Sequence, residues 1–231
     1  MCGRYTLKTD AETLERIFGH PVPAGYQPRY NIAPTQQVLT IQADGDEVRP
    51  AMLRWGLIPF WADDPAIGNR MINARAESVA EKPAFRNAFR KRRCVVLADG
   101  FYEWQKRPDG KRPMWIRTRD EKPFAFAGLW ERWDRGAEPI ESCTILTAAA
   151  NPFMRDIHHR MPVVLEADAV SQWLEPGAEE GRLHELITAA ASVDLQAHEV
   201  STLVNSPAND LPECLDPVEE EAPTLTFPGF E

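Results

Sequence analysis

At 231 residues the chain can bury a full hydrophobic core in one large domain, and its 43% hydrophobic and 26% charged content excludes a disordered or fibrous protein. No run approaches the ~18 apolar residues of a membrane span, no basic-then-apolar signal opens the chain, and four scattered cysteines (Cys2, Cys94, Cys143, Cys214) form no C-x-x-C pair, so a cytoplasmic protein with reduced thiols is expected. The net charge of −9 speaks against a nucleic-acid binder only as an average: residues 1–160 carry +5, and Arg70 to Arg119 hold fourteen cations against five anions.

In chain order, Thr9-Asp10-Ala11-Glu12 has capping-box spacing, and Leu14, Ile17 and Phe18 share one helical face before Gly19, which predicts a short first helix. Residues 20–36, rich in proline and aromatics, read as an ordered loop. Val38–Ile41 and Val48–Trp55 flank an Asp44-Gly45 turn and predict a hairpin. Gly56 to Trp61 then interrupts the sheet pattern with Phe60 and Trp61 side by side. Residues 76–93 are expected to be helical, with a cationic end whose placement suits the helix dipole.

Strand-like runs follow at Cys94–Ala98, Phe101–Gln105, Met114–Thr118, Phe124–Trp130, Ser142–Ala148 and Met161–Leu165, with Pro108-Asp109-Gly110 as a hairpin link. Helices near Asp168–Leu174 and Gly181–Ala191 and a strand at Leu195–Val200 complete the pattern. The fold class expected is α+β: a single domain over 1–215 with a mostly antiparallel, barrel-like sheet core and peripheral helices. An acidic, mobile tail is expected from 216 to 231. No Gly-rich phosphate loop, H-E-x-x-H or G-x-S-x-G is present, which removes weight from nucleotide-dependent and serine-hydrolase chemistry.

Four stretches could carry chemistry. Met1-Cys2 would expose a 1,2-aminothiol if Met1 were removed, its α-amine titrating near pH ~8 and therefore largely nucleophilic at neutral pH. The same dipeptide also fits a start methionine before an arbitrary cysteine. Asn73-Ala74-Arg75 sets an amide two residues from a guanidinium. Alternation sends Phe101, Glu103 and Gln105 to one face, where Glu103 is either a functional carboxylate on an apolar surface or an exposed glutamate on a wet one. In His158-His159 neighbouring imidazoles point apart, so no metal site is expected and an acid–base histidine fits better.

Together, Met1-Cys2-Gly3-Arg4-Tyr5, Tyr30-Asn31-Ile32-Ala33-Pro34, Trp55-Gly56, Asn73-Ala74-Arg75, Asp99-Gly100-Phe101-Tyr102-Glu103-Trp104, Thr147-Ala148-Ala149-Ala150 and Ile157-His158-His159-Arg160-Met161-Pro162 resemble the SOS-response-associated peptidase (SRAP) family from Cys2 to about Leu215. The resemblance implies a protein that senses abasic sites in single-stranded DNA and joins them through Cys2 in a thiazolidine crosslink, with associated lyase and crosslink-reversal activity. It makes Cys2, Asn73, Glu103 and His158 the catalytic set. Arg4, Arg75, Thr147 and Arg160 would hold phosphates. From the chemistry of unstacked bases beside an abasic site, Trp61, Trp104 and Phe60 are candidates to stack or wedge there, with core filling an equal reading of Trp104. The resemblance implies no cofactor, no membrane, a monomer, and association with the nucleoid when DNA is bound. A cysteine peptidase built on Cys2, His158 and Glu103, and a non-catalytic single-stranded DNA binder, are the alternatives.

Overall fold

Short apolar strands punctuated by turn residues build two sheets in the computed structural model, which describes residues 2–218. In chain order the elements are β1 (Tyr5–Leu7), α1 (Ala11–Phe18), β2 (Arg29–Ile32), β3 (Gln37–Asp44), β4 (Glu47–Trp55), β5 (Asn73–Arg75), α2 (Arg86–Lys91), β6 (Arg93–Ala98), β7 (Gly100–Arg107), β8 (Gly110–Thr118), β9 (Phe124–Trp133), β10 (Ile140–Ala149), α3 (Pro152–Arg155), β11 (Arg160–Pro162), β12 (Val164–Leu165), α4 (Ala167–Leu174), α5 (Glu180–Ala189) and β13 (Leu195–Glu199). Strands β10, β4, β3, β6 and β9 follow one another and close through a β9–β10 pairing, giving a barrel that β5, β11 and β12 extend. A second sheet runs β13-β8-β7-β1-β2. Pairing is antiparallel except where β10 meets β4 and β5. The expected α+β, barrel-cored single domain is what the chain forms.

The barrel is filled by buried side chains such as Leu53, Trp55, Val95, Phe126, Leu129 and Ile145, each contributing roughly 1.5–3 kcal/mol by leaving water. Tyr5 belongs to the second sheet, yet its ring packs edge-on against Trp55 and Phe126, with centroids 5.4 and 5.6 Å away. The start of the chain is thereby anchored in the barrel core.

Asp99 joins the sheets, sitting between β6 of one and β7 of the other. Its carboxylate accepts from the Thr6 hydroxyl at 2.7 Å, from the Lys8 and Thr9 backbone N–H groups at 2.6 and 2.8 Å, and from the Thr9 hydroxyl at 2.8 Å. Gly100 follows because nothing larger fits: a Cβ there would lie 2.3 Å from Trp115 Nε1.

Several expectations need correction. The helix over 76–93 is broken: Ala76–Ser78 forms a single 3-10 turn and α2 is only six residues long. Pro83 lacks an N–H and disfavours helical backbone at Lys82, which outweighs the surrounding helix formers. The first helix is capped by Asp10, whose side chain accepts from Thr13 N–H, while Thr9 is committed to Asp99. The run Met161–Leu165 changes partners at Val163, so that β11 pairs with β10 and β12 with β9. The loop over 20–36 contains β2, and β1 was not anticipated; strands of three and four residues show too little alternation to read. Pairing continues to Pro217 and Val218 through Val200 and Glu199. The acidic tail beyond that point lies outside the described residues, as does Met1. Among the described residues no helix is long and apolar enough to cross a membrane.

Candidate functional site

The site residues arrive from both sheets. Strand β10 is flanked near its C-terminal end by β5, in the register Ile145↔Asn73 and Thr147↔Arg75, and by β11, in the register Ala149↔Arg160. This presents Asn73 on one side of β10 and the segment carrying His158 on the other. Glu103 comes from β7. Cys2 leads into β1, which pairs with β7 through Tyr5↔Phe101 and the bond from Tyr102 N–H to the Arg4 carbonyl.

Cys2, Asn73, Glu103 and His158 are brought together. Asn73 Nδ2 donates to the Cys2 carbonyl at 2.8 Å, and Asn73 Oδ1 is buried with no hydrogen-bond partner among the described residues. Cys2 is fully buried. Burial pushes its thiol well above the ordinary range, the nearby Glu103 carboxylate pushes the same way, and the Arg4 backbone N–H opposes them. Glu103 is 4% exposed, so it is not the wet-face glutamate that its pattern also allowed. Its Oε1 lies 3.9 Å from His158 Nδ1, and that nitrogen is 3.0 Å from the Arg160 backbone nitrogen. Two residues along β7, on the same face by alternation, Gln105 Nε2 donates to the Asp156 carbonyl at 2.8 Å, tying this strand to the histidine segment. His159 is exposed, its ring centroid 4.3 Å from that of His158, and electrostatic interaction with that neighbouring imidazole is the main influence holding the His159 pKa below the ordinary value.

The residues expected to meet DNA divide into two groups. Arg75 is exposed and makes no ion pair among the described residues, and Trp61 and its neighbour Phe60 are 41% and 49% exposed on the excursion between β4 and β5. Others already have protein partners. Arg4 donates to Asn31 Oδ1 at 2.8 Å and the Val204 carbonyl at 2.7 Å while its guanidinium lies 5.9 Å from the Trp104 ring, whose own Nε1 donates to Asn205. Arg160 grips both Glu77 oxygens, at 2.5 and 2.9 Å, and donates to the Thr147 carbonyl at 2.6 Å. Thr147 is fully buried with its hydroxyl 3.5 Å from the Ala74 carbonyl.

Three supporting residues lie outside the expected catalytic and DNA-binding sets. Asn31, fully buried, takes Arg4 on its oxygen and spans the carbonyls of Val204, Ser206 and Asn209 with its nitrogen. Asp210 accepts from Tyr30 and Asn31 N–H groups and from Arg29. Glu77 fixes Arg160. The polar letter inside an otherwise apolar Tyr30-Asn31-Ile32-Ala33 run was the available clue for Asn31. No group of three metal-ligating side chains occurs among the described residues.

Glu103 and His158 open onto a cleft of about 470 Å³ whose walls carry Trp104, Lys106, Lys111 and Arg155. An imidazole and a buried carboxylate thus meet at a cleft whose lining holds Lys106, Lys111 and Arg155 together with Asp156, and the Cys2 thiol feels the same carboxylate. Such a set of groups can serve nucleophilic and proton-transfer chemistry. The chain belongs to the SOS response associated peptidase (SRAP) family, whose sequence model matches residues 1–207. It is 47% identical over 227 residues to the abasic site processing protein YoaM of Bacillus subtilis, covering 94% of this chain and 98% of that one. It is 33% identical to the abasic site processing protein YedK of Escherichia coli, covering 94% and 100%. A crystal structure of a protein from Bacteroides thetaiotaomicron superimposes with a TM-score of 0.82 at 27% identity, covering 94% of this chain and all of the other.

Proposed function

We propose that this protein processes abasic sites in single-stranded DNA by forming a covalent crosslink through Cys2 once Met1 has been removed. The observation that carries the reading is the convergence of Asn73 and Glu103 on Cys2, with Asn73 bound to its carbonyl and Glu103 close enough to raise its thiol. The open-chain form of an abasic deoxyribose is an aldehyde. The Cys2 amine adds to its C1′ to give a carbinolamine, loss of water gives an imine, and the sulfur then adds to the imine carbon as its proton passes to nitrogen. The balance is aldehyde plus aminothiol giving thiazolidine plus one water, with no redox change.

Each step moves a proton near one carbon. Glu103 takes and returns protons during dehydration and reversal, and His158 assists opening of the sugar ring. Asn73 orients the amine, its unpartnered Oδ1 being the acceptor available to an N–H. Arg75 meets a phosphate directly, Trp61 stacks on a base beside the gap, and Trp104 flanks the site. Arg4 and Arg160, already held by the protein, add positive potential over a framework that Thr147 supports. The imine also acidifies the C2′ proton, so β-elimination of the strand is a side reaction that thiazolidine closure suppresses.

The His158–Glu103 contact also resembles the base and orienter of a cysteine peptidase. That reading needs a thiolate, and both burial and Glu103 disfavour one at Cys2. Incubating trimmed protein with an oligonucleotide carrying one abasic site decides between them. A heat-stable shifted band on a denaturing gel that vanishes in Cys2→Ala supports the crosslink. Trimmed protein that gives no such band overturns it.

A further inference from the structure

The β7–β8 hairpin carries four cations near its tip, and the structure compensates only two of them. Arg107 and Arg112 are both paired with Glu199, at 3.2 and 2.9 Å, and Arg112 also meets Asp109. Lys106 and Lys111 are exposed, have no carboxylate partner among the described residues, and stand directly opposite each other in the ladder. Like charges in register across two strands repel and weaken a hairpin, so the arrangement is unfavourable until an anion sits between them. Both lysines line the same cleft as Glu103 and His158, and Arg155 lines it from the end of α3. The exposed Asp156 lines it too, so the three cations face two carboxylates there, the buried Glu103 and Asp156. Arg155 is exposed and donates through Nε to the Ala150 carbonyl at 3.2 Å, with no carboxylate partner among the described residues.

We infer that Lys106, Lys111 and Arg155 form a phosphodiester-binding subsite for the strand that flanks the reacting sugar. Lys106 stands three residues from Glu103 along β7, about 10 Å at strand rise, which places the subsite within one or two nucleotides of the chemistry. Its cations act through charge on the backbone, so it favours no base. The inference rests on the cleft being a DNA site, but it does not require the crosslink.

The test is equilibrium binding of the full chain to an unmodified single-stranded oligonucleotide across a salt series, which involves no abasic chemistry. Each lost phosphate contact on single strands lowers the salt slope by about 0.7. Lys106→Gln/Lys111→Gln should lower it by roughly 1.4 and weaken binding about tenfold at low salt. Arg107→Gln, whose charge is already met by Glu199, should leave the slope at the parent value. Lys106→Glu separates binding from folding, because it turns a repulsive cross-strand pair into an attractive one. That variant should melt no earlier than the parent while binding DNA still more weakly. A double-glutamine slope equal to the parent's, or a Lys106→Glu variant that binds as the parent does, overturns the inference. Crosslinking by the parent with unchanged slopes would leave the proposed function standing and remove only the subsite. A parent that fails to crosslink while the slopes shift as stated would do the opposite.

Discussion

Asn73 donates its side-chain N–H to the Cys2 carbonyl oxygen at 2.8 Å. That bond fixes the Cys2 peptide plane and with it the direction in which the amine and thiol of that residue leave the backbone. The partner oxygen of the same amide, buried and unpartnered among the described residues, is left for the amine. Asn73→Ala removes both contacts, each worth about 1 kcal/mol, so crosslink formation at saturating DNA should slow roughly ten- to hundredfold. Asn73→Asp keeps an acceptor and loses the donor, and should fall between. Gel time courses in which Asn73→Ala runs within twofold of the parent would exclude this orienting role.

Cys2→Ala, once trimmed, still presents an α-amine but cannot close the ring. Its imine should therefore be trapped by borohydride as an amine-linked adduct, and unreduced samples should show more strand cleavage than the parent. Acetylating the parent amine while leaving the thiol free should abolish both adduct and cleavage. A heat-stable crosslink from the acetylated protein would mean that the thiol acts alone, contrary to the two-atom chemistry proposed.

Glu103 is buried, 3.9 Å from His158 and near enough to Cys2 for its charge to act on the thiol, and as an amide it could accept hydrogen bonds but no longer exchange a proton. Glu103→Gln should slow crosslink formation or its reversal by about 10²-fold, the lower end for a general acid–base group. Time courses in both directions on the same oligonucleotide report this. Unchanged rates in both would remove Glu103 from the proton path.

What the sequence disclosed and what it hid differ in range. The hairpin at Asp44-Gly45, the strands from Cys94 onward and the two late helices rest on local alternation and turn chemistry, which a linear reading samples directly. The region between Asn73 and Cys94 misled because one proline, Pro83, outweighs a dozen helix-compatible neighbours. At the site, Glu103 was ambiguous because alternation assigns a face but not what covers it; one of the groups that reaches it, His158, lies 55 residues away. For Arg4 and Arg160 the resemblance implies phosphate contacts, and the sequence shows their charge but not the protein groups that also hold them. Those partners, Asn31 with Val204 and Glu77 with Thr147, come from distant parts of the chain.

Asp99 carries the geometry from barrel to site, since β7 begins one residue later and Glu103 lies on it. Asp99→Asn replaces two of the oxygen lone-pair sites with donors while four protein donors still point there. The cost should be roughly 2–3 kcal/mol in urea denaturation, with slower crosslinking alongside. Gly100→Ala should cost about 1–3 kcal/mol by forcing Trp115 aside. Full stability in both variants would show that the two sheets are held by other contacts.

Alkaline pH should destabilise the fold through groups far from the chemistry. Cys94, Cys143 and Tyr5 are fully buried, and burial raises the pKa of each above its ordinary value. Below pH ~8.5 both the folded and unfolded chains keep these protons, and the groups contribute no pH dependence. Above it the unfolded chain releases the thiol protons, and near pH ~10 the tyrosine proton, while the native state retains them. The unfolded state then binds fewer protons than the native state, so stability falls as pH rises, by up to about 1.4 kcal/mol per pH unit for each such group. Urea midpoints should therefore drop steadily from pH 8 to pH 10, and Cys94→Ala/Cys143→Ala, less stable at pH 8 because of its cavities, should show a shallower decline. Equal declines in the two proteins would mean that these thiols are exposed or already ionised in the native state.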